Sequence, residues 1–268
     1  MFQQHQHQVN RKLKGSKKAF IFGPFIGELY WEAYRFAPYA ISLKKRFPKH
    51  HLIVFTRPRS FDLYGQYASV FSPLVIDDKI YKENKFTLKS YYLNEYQYLC
   101  KYIKRRYASL YEITDHYAPQ IEGFMYKVKW QFPRAYMDYD FRPRLKNKKI
   151  ISKLYGGFEN IVISNEPVEL DGYKVITTLD FFKEADLQCN SKETSPIGCF
   201  INLLKNSKFV ISNFDDILAK FAVLCGTTVI TVKEKFTDDA IHLMNPLKSI
   251  VIRCDTVEEG VKKYENYV

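Results

Sequence analysis

The residues best suited to chemistry in this chain sit in two loops, one near each end. The loop GPFIGE (23–28) follows the apolar run AFIFG (19–23) and ends in Gly27-Glu28, just where apolar residues begin to recur at helical spacing. A carboxylate at that position is favoured by the helix dipole, and it has the right chemistry to take a proton from a hydroxyl group. The second loop lies in KFVISNFDDILAKFAVLCGTTVITV (208–232). There Ser212 and Asn213 end a strand, Asp215 and Asp216 open a helix, and Lys220 follows Asp216 by one helical turn. Free N–H groups at a helix start, with a lysine acting as a point charge, suit a phosphate. Ser195, ahead of Pro196, is a plausible cap for another helix start of this kind. Arg57 and Arg59 follow the run HLIVFTR (51–57) and are candidates for holding an anionic group, with plain surface charge as the alternative. A base in one half and a phosphate-holding loop in the other point to a two-substrate transferase.

Other patterns carry less. GPFIGE matches neither the GxGxxG nor the Walker A spacing, so it is not by itself a phosphate cradle. Asp77-Asp78 and Asp238-Asp239 could hold a metal ion, but neither pair has further ligands at a useful spacing, and solvated turn carboxylates are the favoured reading. His116 and His242 stand without a Ser or Cys partner, which leaves no hydrolase triad. The His and Gln residues of the first segment read as part of a solvated basic tail over 1–16. No metal site is expected.

Short apolar runs ended by Gly or Pro read as buried strands. Strands are expected at 19–23, 51–57 and 73–78, with helices over 28–47 (kinked or divided at Pro38) and 61–71. Residues 79–146 are dense in Tyr, Lys and Arg. SYYLNEYQYLCKYIKRRYASLYEI reads there as one amphipathic helix, and the whole stretch as an insertion or inter-domain connection. Strands then recur at 159–165, 173–178, 208–212, 227–232 and 249–253, and helices at 195–207, 215–225 and from Asp255 or Thr256 to about Tyr264. Strand and helix alternating on both sides of the aromatic stretch predict an α/β chain with parallel sheets. The expected architecture is two Rossmann-like lobes facing a cleft, over 17–150 and 151–268, the last helix being a candidate to return to the first lobe.

The formal charge of +12 is unevenly spread: residues 1–150 hold 28 Lys and Arg against 12 Asp and Glu, and residues 151–268 hold 13 against 17. Either the first half meets an anionic partner, or the excess reflects a Lys- and Tyr-rich composition. Tyr91, Tyr92, Tyr96, Tyr98, Tyr102, Lys104, Arg105, Arg106 and Trp130 could stack bases and neutralise phosphates, or could be core and interface packing. Five cysteines without a CxxC pair argue against a disulfide framework and for a reducing compartment, the cytoplasm. No apolar run reaches membrane-spanning length.

Residues 19–78 resemble the N-terminal domain of GT-B glycosyltransferases of the ADP-heptose:lipopolysaccharide heptosyltransferase type. That family carries a strand, Gly-Asp, a helix with a proline about ten residues on, Leu-x-x-x-Phe-Pro and a second strand. The counterparts here are Gly27-Glu28, Pro38, Leu43, Phe47-Pro48 and HLIVF. The family's second motif, Asp-Ser-Gly-x-x-His-x-Ala before a Gly, falls on Asp215, Asp216, Ile217, Lys220, Ala222 and Gly226. The chain departs from it in having Glu for Asp at Glu28, Asp216-Ile217 for Ser-Gly and Lys220 for His.

The resemblance implies sugar transfer from a nucleotide-diphosphate sugar, which serves as co-substrate. It makes Glu28 the catalytic base, with Gly27, Arg57 and Arg59 on the acceptor side. Ser195, Ser212, Asn213, Asp215, Asp216 and Lys220 fall on the donor side. The basic first half then implies an anionic acceptor, either a phosphorylated glycan or DNA with a hydroxymethylated base flipped from the stack. Two other readings stay open: a non-catalytic nucleic-acid-binding protein on a degenerate transferase scaffold, and a transferase of another group, such as pyruvyl, on the same fold.

Overall fold

The computed structural model describes residues 17–25, 29–73, 93–122, 127–129, 137–157, 159–188, 195–213, 216–232 and 245–267. Two compact units divide the chain between Asp138 and Tyr139.

In the first unit β1 (Lys18–Phe22), β2 (His51–Thr56), β3 (Val70–Pro73) and β4 (Glu112–Tyr117) form a parallel sheet in the order β3-β2-β1-β4. The two inner strands, β1 and β2, are buried nearly end to end, as continuous apolar runs in parallel sheets are. A short ribbon, β5 (Gln120–Glu122) with β6 (Lys127–Lys129), stands apart from this sheet.

After β1 the chain is helical through α1 (Leu29–Trp31), a π-helical turn (Glu32–Phe36) and α2 (Ala37–Arg46). Pro38 falls in the first turn of α2 and divides the helical run, as expected. It lacks the N–H that an α turn needs, and the ladder widens just ahead of it, with Ala37 N–H donating to Glu32 O. The helix expected over 61–71 is shorter: α3 (Phe61–Tyr64), flanked by single 3-10 turns, stops at Gly65, whose φ is +43°. Val70 and Phe71 join the sheet beside Ile53 and Val54, so β3 begins ahead of the expected run at 73–78. Residues 74–78 lie outside the described residues.

The aromatic stretch is not an insertion over its described central part. Helix α4 (Leu93–Ala108) buries Ile103 and Tyr107 against Ala19, Ile21, Ile53 and Phe55, and β4 pairs with β1. Strand β4 was hidden because it is an edge strand with Glu112, Thr114 and Asp115 exposed, and such strands carry little apolar signal.

In the second unit the elements run α5 (Leu145–Tyr155), β7 (Ile161–Ser164), β8 (Lys174–Thr177), α6 (Thr178–Gln188), α7 (Pro196–Asn206), β9 (Phe209–Ile211), α8 (Ile217–Cys225), β10 (Thr228–Val232), β11 (Val251–Cys254) and α9 (Val257–Glu265). All five strands are parallel, in the order β11-β10-β9-β7-β8. Helix α9 packs on this sheet, with the Tyr264 ring 4.8 Å from that of Phe209, and belongs to the second unit. Thr256 is its cap, accepting from Glu259 N–H. Helix α8 ends at Gly226, whose left-handed φ of +82° lets its N–H reach back into the last turn.

Candidate functional site

In an open parallel sheet the strand order reverses at one point, and the carboxyl ends there leave a crevice suited to ligands. In the second unit this point lies between β7 and β9, since β8 is added on one side of β7 and β9, β10 and β11 on the other. The residues that follow these two strands meet there. Asn165, next after β7, donates from Nδ2 to Ser212 Oγ at 3.1 Å and to Asp216 Oδ2 at 2.5 Å. Ser212 Oγ lies 3.4 Å from the same carboxylate oxygen and 3.2 Å from Asn213 O. Thr178, opening α6, donates to Asn165 Oδ1 at 3.3 Å. Asp216 occupies the N-cap of α8, yet its side chain makes no capping bond and turns to Asn165 instead. The cluster keeps contact with water: Asn165 and Asp216 are half-buried and Asn213 is exposed.

The reversal point of the first sheet lies between β1 and β4. Gly23 ends β1 there with φ +107°, and a Cβ on it would fall 2.1 Å from Phe55 O, so no other residue fits. His116 Nε2 donates to Gly23 O at 2.6 Å, and burial holds its pKa below the usual imidazole range, which keeps the ring neutral. Tyr96 OH reaches Pro24 O at 3.2 Å and Pro119 O at 3.1 Å. These bonds fix the loop that leads into Ile26, Gly27 and Glu28.

At the carboxyl end of β2 stands a second polar centre, entirely buried. Glu32 Oε1 accepts from Thr56 Oγ1 at 2.5 Å and from Tyr64 OH at 2.8 Å, and all three residues are 0% exposed. Burial pushes the Glu32 carboxyl up to about 7, opposed chiefly by the bonds from Thr56 and Tyr64. The same burial and the neighbouring carboxyl push the Tyr64 phenol well up.

Of the residues singled out in the sequence, Ser212, Asn213 and Asp216 come together at the second reversal point, with Lys220 one turn along α8. Ser195 is 2% exposed, and its hydroxyl caps α7 through Gly198 N–H at 3.1 Å while its own N–H meets Asn147 Oδ1 at 3.3 Å. Arg57 precedes the short 3-10 turn after β2 (Pro58–Ser60) and Arg59 lies within it, exposed. Gly27, Glu28 and Asp215 lie outside the described residues, as do Asp77, Asp78, Asp238, Asp239 and His242. Among the described residues no group of three or more His, Cys, Asp or Glu could hold a metal ion, and no helix is long and apolar enough to cross a membrane.

Sequence reading missed Asn165, Thr178 and Glu32. Asn165 closes ENIVISN as Asn213 closes KFVISN, and that parallel was the available signal. Glu32 stood as a lone carboxylate among Tyr30, Ala33, Tyr34 and Phe36, a place where a charge needs buried partners. Of the aromatic residues singled out, Tyr96 is buried and Tyr102 packs against the first core, while Tyr98 is 72% exposed; Tyr91, Tyr92 and Trp130 lie outside the described residues.

Fold and site together define an α/β protein of two Rossmann-like units, with a polar cluster at the reversal point of the second sheet and a buried one at the end of β2 in the first. The chain is similar in structure to a glycosyl transferase family 9 protein from Veillonella parvula, at 12% identity over 94% of this chain and 92% of that one, with a TM-score of 0.46. It is similar to the E. coli ADP-heptose lps heptosyltransferase II at 10% identity, over 94% and 98%, with a TM-score of 0.48. For an E. coli heptosyltransferase solved with ADP the values are 12%, 93% and 97%, and 0.42. No protein-family model matches the chain, and no curated protein matches it by sequence.

Proposed function

We propose that the protein is a glycosyltransferase that moves a sugar from a nucleotide-diphosphate sugar to a hydroxyl of an anionic acceptor. The observation that carries this reading is the Asn165–Ser212–Asp216 cluster at the reversal point of the second sheet, where residues of the donor motif converge with a residue from a different strand. Asp216 and Asn165 offer an acceptor and a donor suited to sugar or ribose hydroxyls. Lys220 and the free N–H groups at the start of α8 supply positive charge for the departing diphosphate, and the Ser212 hydroxyl stands beside them as a hydrogen-bond donor. Glu28, on the sequence argument, takes the proton of the acceptor hydroxyl, and Gly27, Arg57 and Arg59 hold the acceptor. Phosphorylated glycan and hydroxymethylated DNA both meet the demand for an anionic acceptor.

Thermal shift against UDP, GDP, ADP and CDP, each alone and as a sugar conjugate, tests the reading. One nucleotide should raise the melting temperature, and D216N should abolish that rise while leaving the unliganded midpoint nearly in place. No stabilisation by any of the four would remove the donor site. With donor and acceptor identified, E28Q should lower turnover by about 10²- to 10⁴-fold.

A second reading draws on the outer face of α4, where Tyr98, Lys101, Lys104 and Arg105 are exposed together. It makes the protein a nucleic-acid binder on the same scaffold. Salt-dependent binding of single-stranded DNA with no response to any nucleotide diphosphate would favour it.

A further inference from the structure

The amino end of the first sheet carries a concentration of positive charge far from the polar clusters at the carboxyl ends. Strands β1, β2 and β4 all start there. Ala19 is level with His51 and Lys18 with Glu112, and Glu112 N–H donates to Lys17 O at 3.1 Å. Helix α2 ends at the same place, where Lys44 Nζ donates to Pro48 O at 2.8 Å and to His50 O at 2.6 Å. The segments that meet here, 17–18, 44–50 and 109–112, hold six Lys and Arg against one Glu. At about 3.3 Å per residue, the five residues of β1 set this end roughly 16 Å from Gly23 and the turn after β2.

Two of these cations have duties inside the fold. Lys44 closes the loop after α2, and Lys45 pairs with Asp138 at 2.8 Å. Basic groups in the last turn of a helix also suit its dipole. Those duties do not reach Lys17 and Lys49, which are exposed and outside any helix. Nor do they reach Lys18, which stands 3.6 Å from Glu112 with both side chains more than half exposed. Burial, and then the charges of Lys18 and Lys44, hold His50 below the usual imidazole range, and burial with Lys17 and Lys44 does the same for His51. The lysines beside β1 and in α2 thus act on one place. Two large apolar side chains stand in water among them, Phe47 at 39% and Leu110 at 41% exposure. The Phe47 ring lies 5.5 Å from Phe20 and 5.3 Å from His50, and the Arg46 guanidinium is 5.7 Å from its centre.

We propose that this end of the first unit is a docking surface for an anionic lipid bilayer. Phe47 and Leu110 enter the headgroup layer, and Lys17, Lys18, Arg46 and Lys49 meet the lipid phosphates and carboxylates. Basic residues beside exposed apolar ones fit such an interface, which offers negative charge at its surface and apolar chains just beneath. A nucleic acid would meet the charge equally well, but it has no layer to receive an aliphatic side chain such as Leu110. A base also needs an open ring to stack on, and Phe20, His50 and Arg46 crowd the ring of Phe47. Docked in this way, the first unit turns the carboxyl ends of its strands away from the bilayer. Part of the excess charge of the first half then locates the protein rather than holding an acceptor, and the inference does not depend on glycosyl transfer.

Flotation with vesicles tests the proposal. The wild-type chain should bind phosphatidylcholine vesicles that contain about 30% phosphatidylserine, and should leave vesicles of phosphatidylcholine alone unbound. Raising the salt to about 0.5 M should weaken the binding about tenfold. The double variant K17A/K49A should weaken it about 25-fold, since each cation at such a surface contributes about fivefold. L110S should weaken it about fivefold and leave its salt dependence in place. Hydrogen exchange on the wild-type chain needs no variant to fold, and bound vesicles should slow it over 44–50 and 109–112. No binding to the anionic vesicles, equal binding to the neutral ones, full binding by K17A/K49A, or protection confined to other segments would each overturn the proposal. So would displacement of the chain from vesicles by single-stranded DNA at equal charge concentration, which would make the surface a nucleic-acid site.

Discussion

The polar centres of the two units are built on opposite principles. Around Glu32 every partner is buried, and the hydrogen bonds join segments of the chain to one another. Around Asp216 the carboxylate and its partner Asn165 are half-buried, though Ser212 is buried, and the carboxylate passes over its own helix start to meet a side chain from another strand. Removing a buried partner leaves hydroxyls with nothing to replace it, whereas water can replace a half-exposed one. The first centre is therefore a device for holding loops, and the second is open to a ligand.

The largest contrast should appear on truncation. Glu32→Ala leaves Thr56 and Tyr64 unsatisfied and opens a cavity, and should cost about 3 kcal/mol at pH 5.5 by chemical denaturation. Asp216→Ala should cost less than about 1 kcal/mol. Equal losses would erase the distinction between a holding centre and an open one.

A nearly equal effect should follow from pH. The folded pKa of Glu32, about 7, exceeds its ordinary value of 4.5, so folding binds a proton. The associated stability is fully present below pH 4.5 and is lost as pH rises through 7, amounting to about 3 kcal/mol. E32Q carries no such group, so the stability of wild type relative to E32Q should fall across pH 4.5–7. A flat difference between the two curves would show that the carboxyl titrates normally.

Ligand affinity comes next. Lys220→Ala should weaken binding of the stabilising nucleotide about tenfold, or about 1.4 kcal/mol, with little change in unliganded stability. Calorimetry showing unchanged affinity would take Lys220 out of the donor site. The smallest expected effects are at the helix caps. Ser195→Ala should cost about 1 kcal/mol and Thr256→Ala somewhat less, since Ser195 is buried and Thr256 exposed. Both should move the denaturant midpoint without altering its slope.

Much of the second unit could be read from the sequence, because its strands are apolar runs and its helices carry recognisable starts at Ser195 and Thr256. Helices α5 and α6 went unread: KNKKIISKLY and DFFKEADLQ lack a sharp apolar stripe, and α6 follows β8 with no intervening loop. The first unit was legible as far as β2 and again at α4, which falls within the amphipathic run expected there. Beyond it, Val70 and Phe71 read as the end of a helix until their pairing with β2 was known, and β4 was masked by its own polarity.

The amino-acid order alone determined the alternation of strands and helices, the charge imbalance and the carboxylates placed at helix starts, since each depends on local pattern. Tertiary structure decided which of these residues meet. Asn165 and Asp216 are 51 positions apart, and Glu32 and Tyr64 are 32 apart. Their pairing follows from strand order and from the widened turn before Pro38. Local periodicity specifies which face of an element is apolar, but only the packing of whole elements sets which carboxylate goes into the dark and which stays in water.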